Sequence, residues 1–398
     1  MTRHVRIEGK IVDSFYLLLI FLAIASGICA AQPAAGKEDL VYVGTYTDHG
    51  SKGIYSYRFD SKTGHLTEIG LVAETENPTF LALDVHQRFL YAANEIPKYN
   101  GQATGAVSAF AIDSGTGKLS LLNQLSSRSP GPAYISVDRT GKYVLTANYP
   151  LGSVTVFPIL DNGGLGDPSA FVQHKGSSVN ADRQAGPHAH AIELSPDNRF
   201  ALVADLGIDQ VLVYPFDQST GRLGEPHTTK IDPGSGPRHL RFSPNGKFVY
   251  LINEMLSNVT VFSYDAANGD LSKVQTISTL PKDFAGKSSA AEVQIHPSGK
   301  FLYASNRGHD SIAVFAIDDS KGTLTPIENV PTQGKTPRNF ALDPSGSWLL
   351  DANQDSNNIV VFRIDQKTGR LKPAGETVQL ASPVCITFDE AIVARKHK

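Results

Sequence analysis

A short segment recurs seven times along the 398-residue chain, and a repeat of that length leaves few folds open. Its starts are Asn77-Pro-Thr-Phe, Gly131-Pro-Ala-Tyr, Gly186-Pro-His-Ala-His, Gly236-Pro-Arg-His, Ala290-Ala-Glu-Val, Thr336-Pro-Arg-Asn and Ser382-Pro-Val-Cys, spaced 46 to 55 residues apart. The copy at Gly236 reads most plainly. Leu240 and Phe242 lie in a first strand, Ser243-Pro-Asn-Gly246 supplies a turn, and Phe248, Tyr250 and Ile252 alternate along a second strand, as the strand period of two requires. A third strand in each unit runs to an Asp, for example Ile54 to Asp60, Val259 to Asp265 and Ile359 to Asp365. A Gly turn follows, as in Gly64-His-Leu66 and Gly369-Arg-Leu371. Each unit is therefore a hairpin, a third strand, a Gly turn and a fourth strand. Four-stranded units of about 50 residues, repeated in this way, spell a β-propeller, because no blade can bury both faces of its sheet alone. The expected fold is all-β, a seven-bladed β-propeller forming one domain over residues 39–390.

The ends of the repeat array fit a closed ring. Leu40 to Tyr46 matches the second strand of a unit and lacks the first, while the last unit starts at Ser382 and then stops. The C-terminal strand is expected to join the N-terminal blade as its inner strand, which leaves no open sheet edge at the seam. One Trp, Trp348, and no repeated Trp-Asp pair argue against a WD40 propeller.

Composition narrows the function classes. A net charge of −3 with 19% charged residues gives no basic excess for nucleic acid. At the N-terminus, Arg3, Arg6 and Lys10 precede an apolar run from Phe15 to Ala25, and small residues follow to Ala31. That order reads as a secretory signal peptide over residues 1–31, with cleavage near Ala30 or Ala31. The run falls short of the roughly 20 apolar residues of a membrane span. The mature chain is expected to be exported, with no stable membrane partner. Cys29 leaves with the signal, so Cys385 has no disulfide partner and reads as a buried small residue.

In an antiparallel hairpin, the start of strand one lies beside the end of strand two. Aligning the units therefore produces columns that meet at one end of the inner strands. Thr45, Asn94, Asn148, Asp205, Asn253, Asn306 and Asn353 form a nearly uniform column, read as scaffold because short polar side chains bond neighbouring backbone. The next column varies in chemistry: Tyr46, Glu95, Tyr149, Leu206, Glu254, Arg307 and Gln354. Facing it is the column Thr79, Ala133, His190, Arg238, Ala291, Arg338 and Val384, provided that the unit at Gly186 carries two extra residues after Pro187. A further column holds Phe80, Tyr134, Ala191, His239, Glu292, Asn339 and Cys385, and His239 there reads as packing between blades. The ring thus gathers His190, Arg238, Glu254, Glu292, Arg307 and Arg338 around the central channel. Ionisable groups near a propeller axis are costly unless paired or functional, and both readings stay open for Arg238–Glu254 and Glu292–Arg307.

This set suits hydrolysis or formation of a lactone. A His serves as general base for water, Arg holds an anion and stabilises an oxyanion, and Glu orients the His or shuttles a proton. No Gly-x-Ser-x-Gly elbow, His-Glu-x-x-His or Walker loop is present. His188-x-His190 with Asp205 offers a metal alternative, since i and i+2 on a strand face the same way.

Pro187-His-Ala-His190, Val203-Ala-Asp-Leu-Gly207, Gly236-Pro-Arg-His-Leu240, Ala291-Glu-Val-Gln-Ile295, Ser305-Asn-Arg-Gly-His-Asp310 and Thr336-Pro-Arg-Asn-Phe-Ala-Leu342 resemble the lactonase family of seven-bladed propellers. That family includes the cycloisomerase-type 6-phosphogluconolactonases and the carboxy-cis,cis-muconate cyclases, and the resemblance covers residues 39–390. It implies hydrolysis of 6-phospho-D-glucono-1,5-lactone without metal or other cofactor. It also implies catalytic roles for His190, Arg238 and Glu254, the His, Arg and Glu of the muconate-cyclase channel. Substrate-binding positions are then His188, Glu292, Arg307 and Arg338. The expected partner is a small-molecule lactone or carboxylated substrate, met by a monomer. Export departs from the cytoplasmic setting of a phosphorylated lactone. A lactonising cycloisomerase and a non-enzymatic ligand-binding propeller remain the alternatives.

Overall fold

The computed structural model describes residues 38–389, and the expected signal peptide lies outside them. Seven antiparallel sheets follow one another around an axis. The hairpin at Gly236 is typical: strands Pro237–Phe242 and Phe248–Asn253 pair, then Asn258–Asp265 and Asp270–Ser278 extend the sheet outward. The ring closes as the repeat pattern required. Pro383–Asp389 pairs with Glu38–Thr45, which pairs with Gly53–Asp60 and then His65–Glu74. The blade beginning at Ala189–Leu194 has a fifth strand, because Arg222–Leu223 and His227–Lys230 both pair with Gln210–Asp217.

Blades lock through the Gly turns. Gly322 adopts φ +72°, and a Cβ there would stand 2.3 Å from the ring of Phe248 in the preceding blade. Gly369 repeats the contact against Phe301. The turn carbonyls are used as well: Tyr250 Oη donates to Gly322 O at 3.0 Å and Tyr303 Oη to Gly369 O at 2.9 Å. The glycine thus serves both the left-handed turn and the packing of one blade on the next.

All seven inner strands carry a β-bulge near their start, each in the same column. The extra residues are Thr79, Ala133, His190, Arg238, Arg338 and Val384, and in the remaining strand, Ser289–Ile295, the bulge falls at Ala291 and Glu292. A bulge leaves one residue unpaired and re-aims its side chain. The column aligned from sequence is therefore the column that the backbone turns toward the axis.

Candidate active site

The scaffold column occupies its expected place. Asn94, Asn148, Asp205, Asn253, Asn306 and Asn353 are fully buried and bond across neighbouring turns. Asn253 Nδ2 donates to Asn258 Oδ1 at 2.7 Å and Thr260 Oγ1 at 2.9 Å, and Asn306 Nδ2 donates to Thr279 O at 3.0 Å. Asp205 accepts from the backbone N–H groups of His188 (2.7 Å) and Gly207 (3.0 Å) and pairs with buried His174 at 2.6 Å. This network fixes the strand ends that present the mouth.

Glu254 sits at the centre of the mouth. Its backbone N–H bonds Gly236 O at 2.7 Å, closing the hairpin and setting the carboxylate beside the Arg238 bulge. Glu254 Oε2 meets Arg238 Nε at 3.2 Å and Arg307 Nη2 at 2.9 Å, while Oε1 meets Arg183 Nη2 at 2.7 Å. Burial alone would raise the Glu254 carboxyl, but Arg307, Arg238 and Arg183 outweigh it and hold the group well below the usual carboxylate range. Three guanidinium partners make Glu254 a poor proton acceptor. Its carboxylate is the point on which Arg183, Arg238 and Arg307 converge.

Arg238 lies at the bottom of the mouth, its side chain 2% exposed, and donates from Nη1 to Ala291 O at 2.5 Å. Burial, with Arg307 and Arg338 nearby, pulls its guanidinium down to about 9, so it stays protonated at neutral pH. Arg307 also reaches Ser289 O and Ala290 O. Arg338 lies over the ring of Tyr46, donates to its hydroxyl at 3.0 Å and approaches Glu95 at 4.0 Å. Tyr46 Oη and Thr79 Oγ1 both donate to Glu95 Oε2. Four guanidinium groups (Arg183, Arg238, Arg307, Arg338) against two carboxylates (Glu95, Glu254) leave an excess of two positive charges around the mouth.

His190 is 5% exposed and packs edge-on against His239 and Tyr149, at 5.1 Å and 5.3 Å between ring centres. Its Nδ1 is buried without a hydrogen-bond partner among the described residues. Burial, reinforced by Arg238, pushes its pKa well below the ordinary imidazole value, so the ring is neutral at pH 7. His188 precedes the strand, stacks on Tyr149 at 4.8 Å and brings Nδ1 to Tyr149 O at 3.0 Å. It shapes the wall beside His190. Asp205 is occupied by His174 and backbone, and among the described residues no group of three His, Cys, Asp or Glu side chains is placed to hold a metal ion.

Glu292 lies elsewhere than the sequence suggested. It pairs with His239 at 2.9 Å and Arg241 at 3.2 Å, accepts from Asn339 at 2.8 Å, and is fully buried. Arg307 pairs with Glu254 instead. Burial raises Glu292 against the pull of Arg241 and Arg238, and burial lowers His239 far below its ordinary value. The imidazole of the pair is thus neutral, with its Nδ1 in hydrogen-bond contact with Glu292 Oε2. Around it, Phe80 stacks on Tyr134 at 4.1 Å, and His239 meets both rings edge-on. Phe80 and Asn339 line both the narrow cavity under Arg238 and Arg338 and a separate cavity containing Arg241, Gln294 and Cys385. This layer lies between the two cavities. Cys385 is a free buried thiol that lines the cavity containing Arg241.

Sequence reasoning did not single out Arg183, Tyr46, Glu95 or Tyr149 as functional. The last three stood in the variable column beside Glu254. Arg183 had no column at all, because it comes from the irregular segment before the Gly186 unit.

Fold and site together define a seven-bladed propeller in which four guanidinium groups gather around two carboxylates at the inner strand ends. The chain belongs to the lactonase family of seven-bladed β-propellers, whose model matches residues 40–388. The 6-phosphogluconolactonase of Bacillus subtilis strain 168 is 38% identical over 347 residues, 87% of this chain and 97% of that protein. A 6-phosphogluconolactonase of Formosa agariphila is 37% identical over 309 residues, 76% of this chain and 86% of that one. The solved periplasmic gluconolactonase of Pseudomonas aeruginosa superposes with a TM-score of 0.84 at 35% identity, covering 88% of this chain and 99% of that chain.

Proposed function

We propose that this chain is an exported lactonase of the 6-phosphogluconolactonase type, opening a sugar lactone with water to give the hydroxy acid. One observation carries the assignment of roles: a neutral His190, whose Nδ1 has no hydrogen-bond partner among the described residues, sits near Arg238 in the cluster of arginines. His190 takes a proton from water as the water attacks the lactone carbonyl. Arg238 and Arg307 stabilise the oxyanion that forms. The ring C–O bond then breaks, and the proton on His190 passes to the leaving ring oxygen. For 6-phospho-D-glucono-1,5-lactone the product is 6-phospho-D-gluconate. Glu254 keeps the arginines converged throughout. The reading needs no metal or cofactor from the named residues.

The names of the relatives support the reaction class, and the periplasmic Pseudomonas relative supports export beside the N-terminal signal pattern. The test is continuous titration of acid release from a lactone panel, with and without chelator, including a muconolactone to separate hydrolysis from cycloisomerisation. Arg238→Ala is expected to lower kcat/KM about a hundredfold or more, the scale of losing an oxyanion partner. Wild-type-like hydrolysis by the His190→Ala, Arg238→Ala double variant overturns the assignment. N-terminal sequencing of the exported protein checks cleavage after Ala30 or Ala31.

A further inference from the structure

The four arginines of the mouth are graded in depth. Their side chains are 2% exposed at Arg238, 14% at Arg307, 19% at Arg338 and 43% at Arg183. Arg183 is the outermost, and unlike the others it comes from an irregular segment rather than a strand end. That segment is nevertheless built firmly. Asn180 Oδ1 accepts from the N–H groups of Asp182 and Arg183, Gln184 Nε2 donates to Leu206 O, and Ser178 Oγ donates to Asp209 Oδ2 at 2.6 Å. Asp209 also accepts from the N–H groups of Gly234 (2.7 Å) and Gly236 (2.8 Å). The Arg183 segment and the strand start that carries Arg238 therefore share one anchor. From it, the Arg183 guanidinium bridges Tyr149 Oη at 3.1 Å and Glu254 Oε1 at 2.7 Å.

We propose that Arg183 selects lactones bearing a second anionic group, phosphate or carboxylate, by holding that group at the entrance while the lactone carbonyl reaches Arg238. The inference rests on the lactonase reading and deepens it. Glu254 already has two deeper guanidinium partners in Arg238 and Arg307, so turning Arg183 toward a ligand anion leaves the carboxylate paired. A half-exposed guanidinium presents its remaining N–H groups in the fork geometry that suits phosphate or carboxylate. A neutral lactone gains nothing from this contact, so Arg183 sets a ratio between substrates.

The experiment compares wild type, Arg183→Ala and Arg183→Lys on 6-phosphoglucono-1,5-lactone, glucaro-1,4-lactone and uncharged glucono-1,5-lactone. The kcat/KM ratio of phosphorylated to uncharged substrate is expected to fall about ten- to a hundredfold in Arg183→Ala, mostly through KM, the scale of a lost charge-assisted contact. Arg183→Lys restores part of it. The glucarolactone arm shows whether phosphate or carboxylate is the group preferred. A ratio unchanged within about twofold overturns the inference, and leaves the lactonase reading standing if both lactones are still hydrolysed. Turnover of none of the three by wild type overturns the lactonase reading itself. In that case, calorimetric titration with inorganic phosphate still decides the role of Arg183: weaker binding in Arg183→Ala supports it, and equal binding overturns it.

Discussion

Replacing Glu254 by Gln keeps the shape of the mouth and removes the charge on which three guanidinium groups converge. The expected loss can be worked from burial. Arg183 is nearly half exposed, and its pair with Glu254 contributes little, about 0–1 kcal/mol. Arg238 and Arg307 are buried, and breaking a buried pair by removing one partner costs about 3–5 kcal/mol. Arg238 keeps its bond to Ala291 O, so the middle of that range is the reasonable figure. An unfolding entropy of about 2.1 cal/mol/K per residue over roughly 350 residues converts it to a Tm lower by about 4–7 °C. The sign with pH follows from the depressed carboxyl. Glu254's stabilisation is complete above its unfolded value of 4.5 and is lost only as pH falls through the lower folded value. The deficit of Glu254→Gln should therefore be constant from pH 8 to pH 5 and shrink in stronger acid. Differential scanning fluorimetry across that range is the assay, with added phosphate expected to recover part of the loss by supplying a replacement anion. A variant within 1 °C of wild type at pH 7 would refute the view that Glu254 organises the arginines.

His190→Asn should lower kcat on 6-phosphogluconolactone by about two to four orders of magnitude, the contribution of a general base, with stopped-flow acid release as the measurement. His190 and His239 are held neutral by burial, so the unfolded chain binds more protons below pH 6.5. Wild-type stability should fall with pH there by up to about 1.4 kcal/mol per pH unit for each histidine, and denaturant titrations of His190→Asn should show a shallower slope. Asp351 is fully buried, and burial raises its pKa well above 3.8 against the lowering contact of the Asn353 side chain. Its cost begins above the unfolded value and grows with pH toward the folded one, so Asp351→Leu should raise Tm at pH 8 more than at pH 4. Gly322→Ala places a Cβ at φ +72°, within 2.3 Å of Phe248, and should destabilise by about 1–3 kcal/mol in chemical denaturation.

Much of the architecture was legible because the constraint is periodic. The Asn/Asp column, the Gly turns and the shared strand starts each recur with blade spacing, so one misread unit is corrected by the others. The register also brings His190 into line after the two-residue allowance, because Ala189 pairs with Asp205 as Pro237 pairs with Asn253. Within the site, the register of a single hairpin sufficed to place Arg238 beside Glu254, since cross-strand neighbours follow from the turn. Glu292 shows where the reasoning stopped. Column membership located its backbone, but its side chain turned below the mouth to His239 and Arg241, contacts made 53 and 51 residues away in sequence.

The sequence by itself determined the number of blades, the closure of the ring and which strand ends surround the axis, because hydrogen-bonded hairpins and turn chemistry are local and repeat. Only the tertiary structure decided which charges pair, that Phe80, Tyr134 and His239 pack on one another, and that Arg183 reaches Glu254 from a segment outside the repeat. Those contacts join side chains from different blades at the axis. Their partners are set by bulge geometry and by competition for one buried carboxylate, and neither leaves a period in the chain.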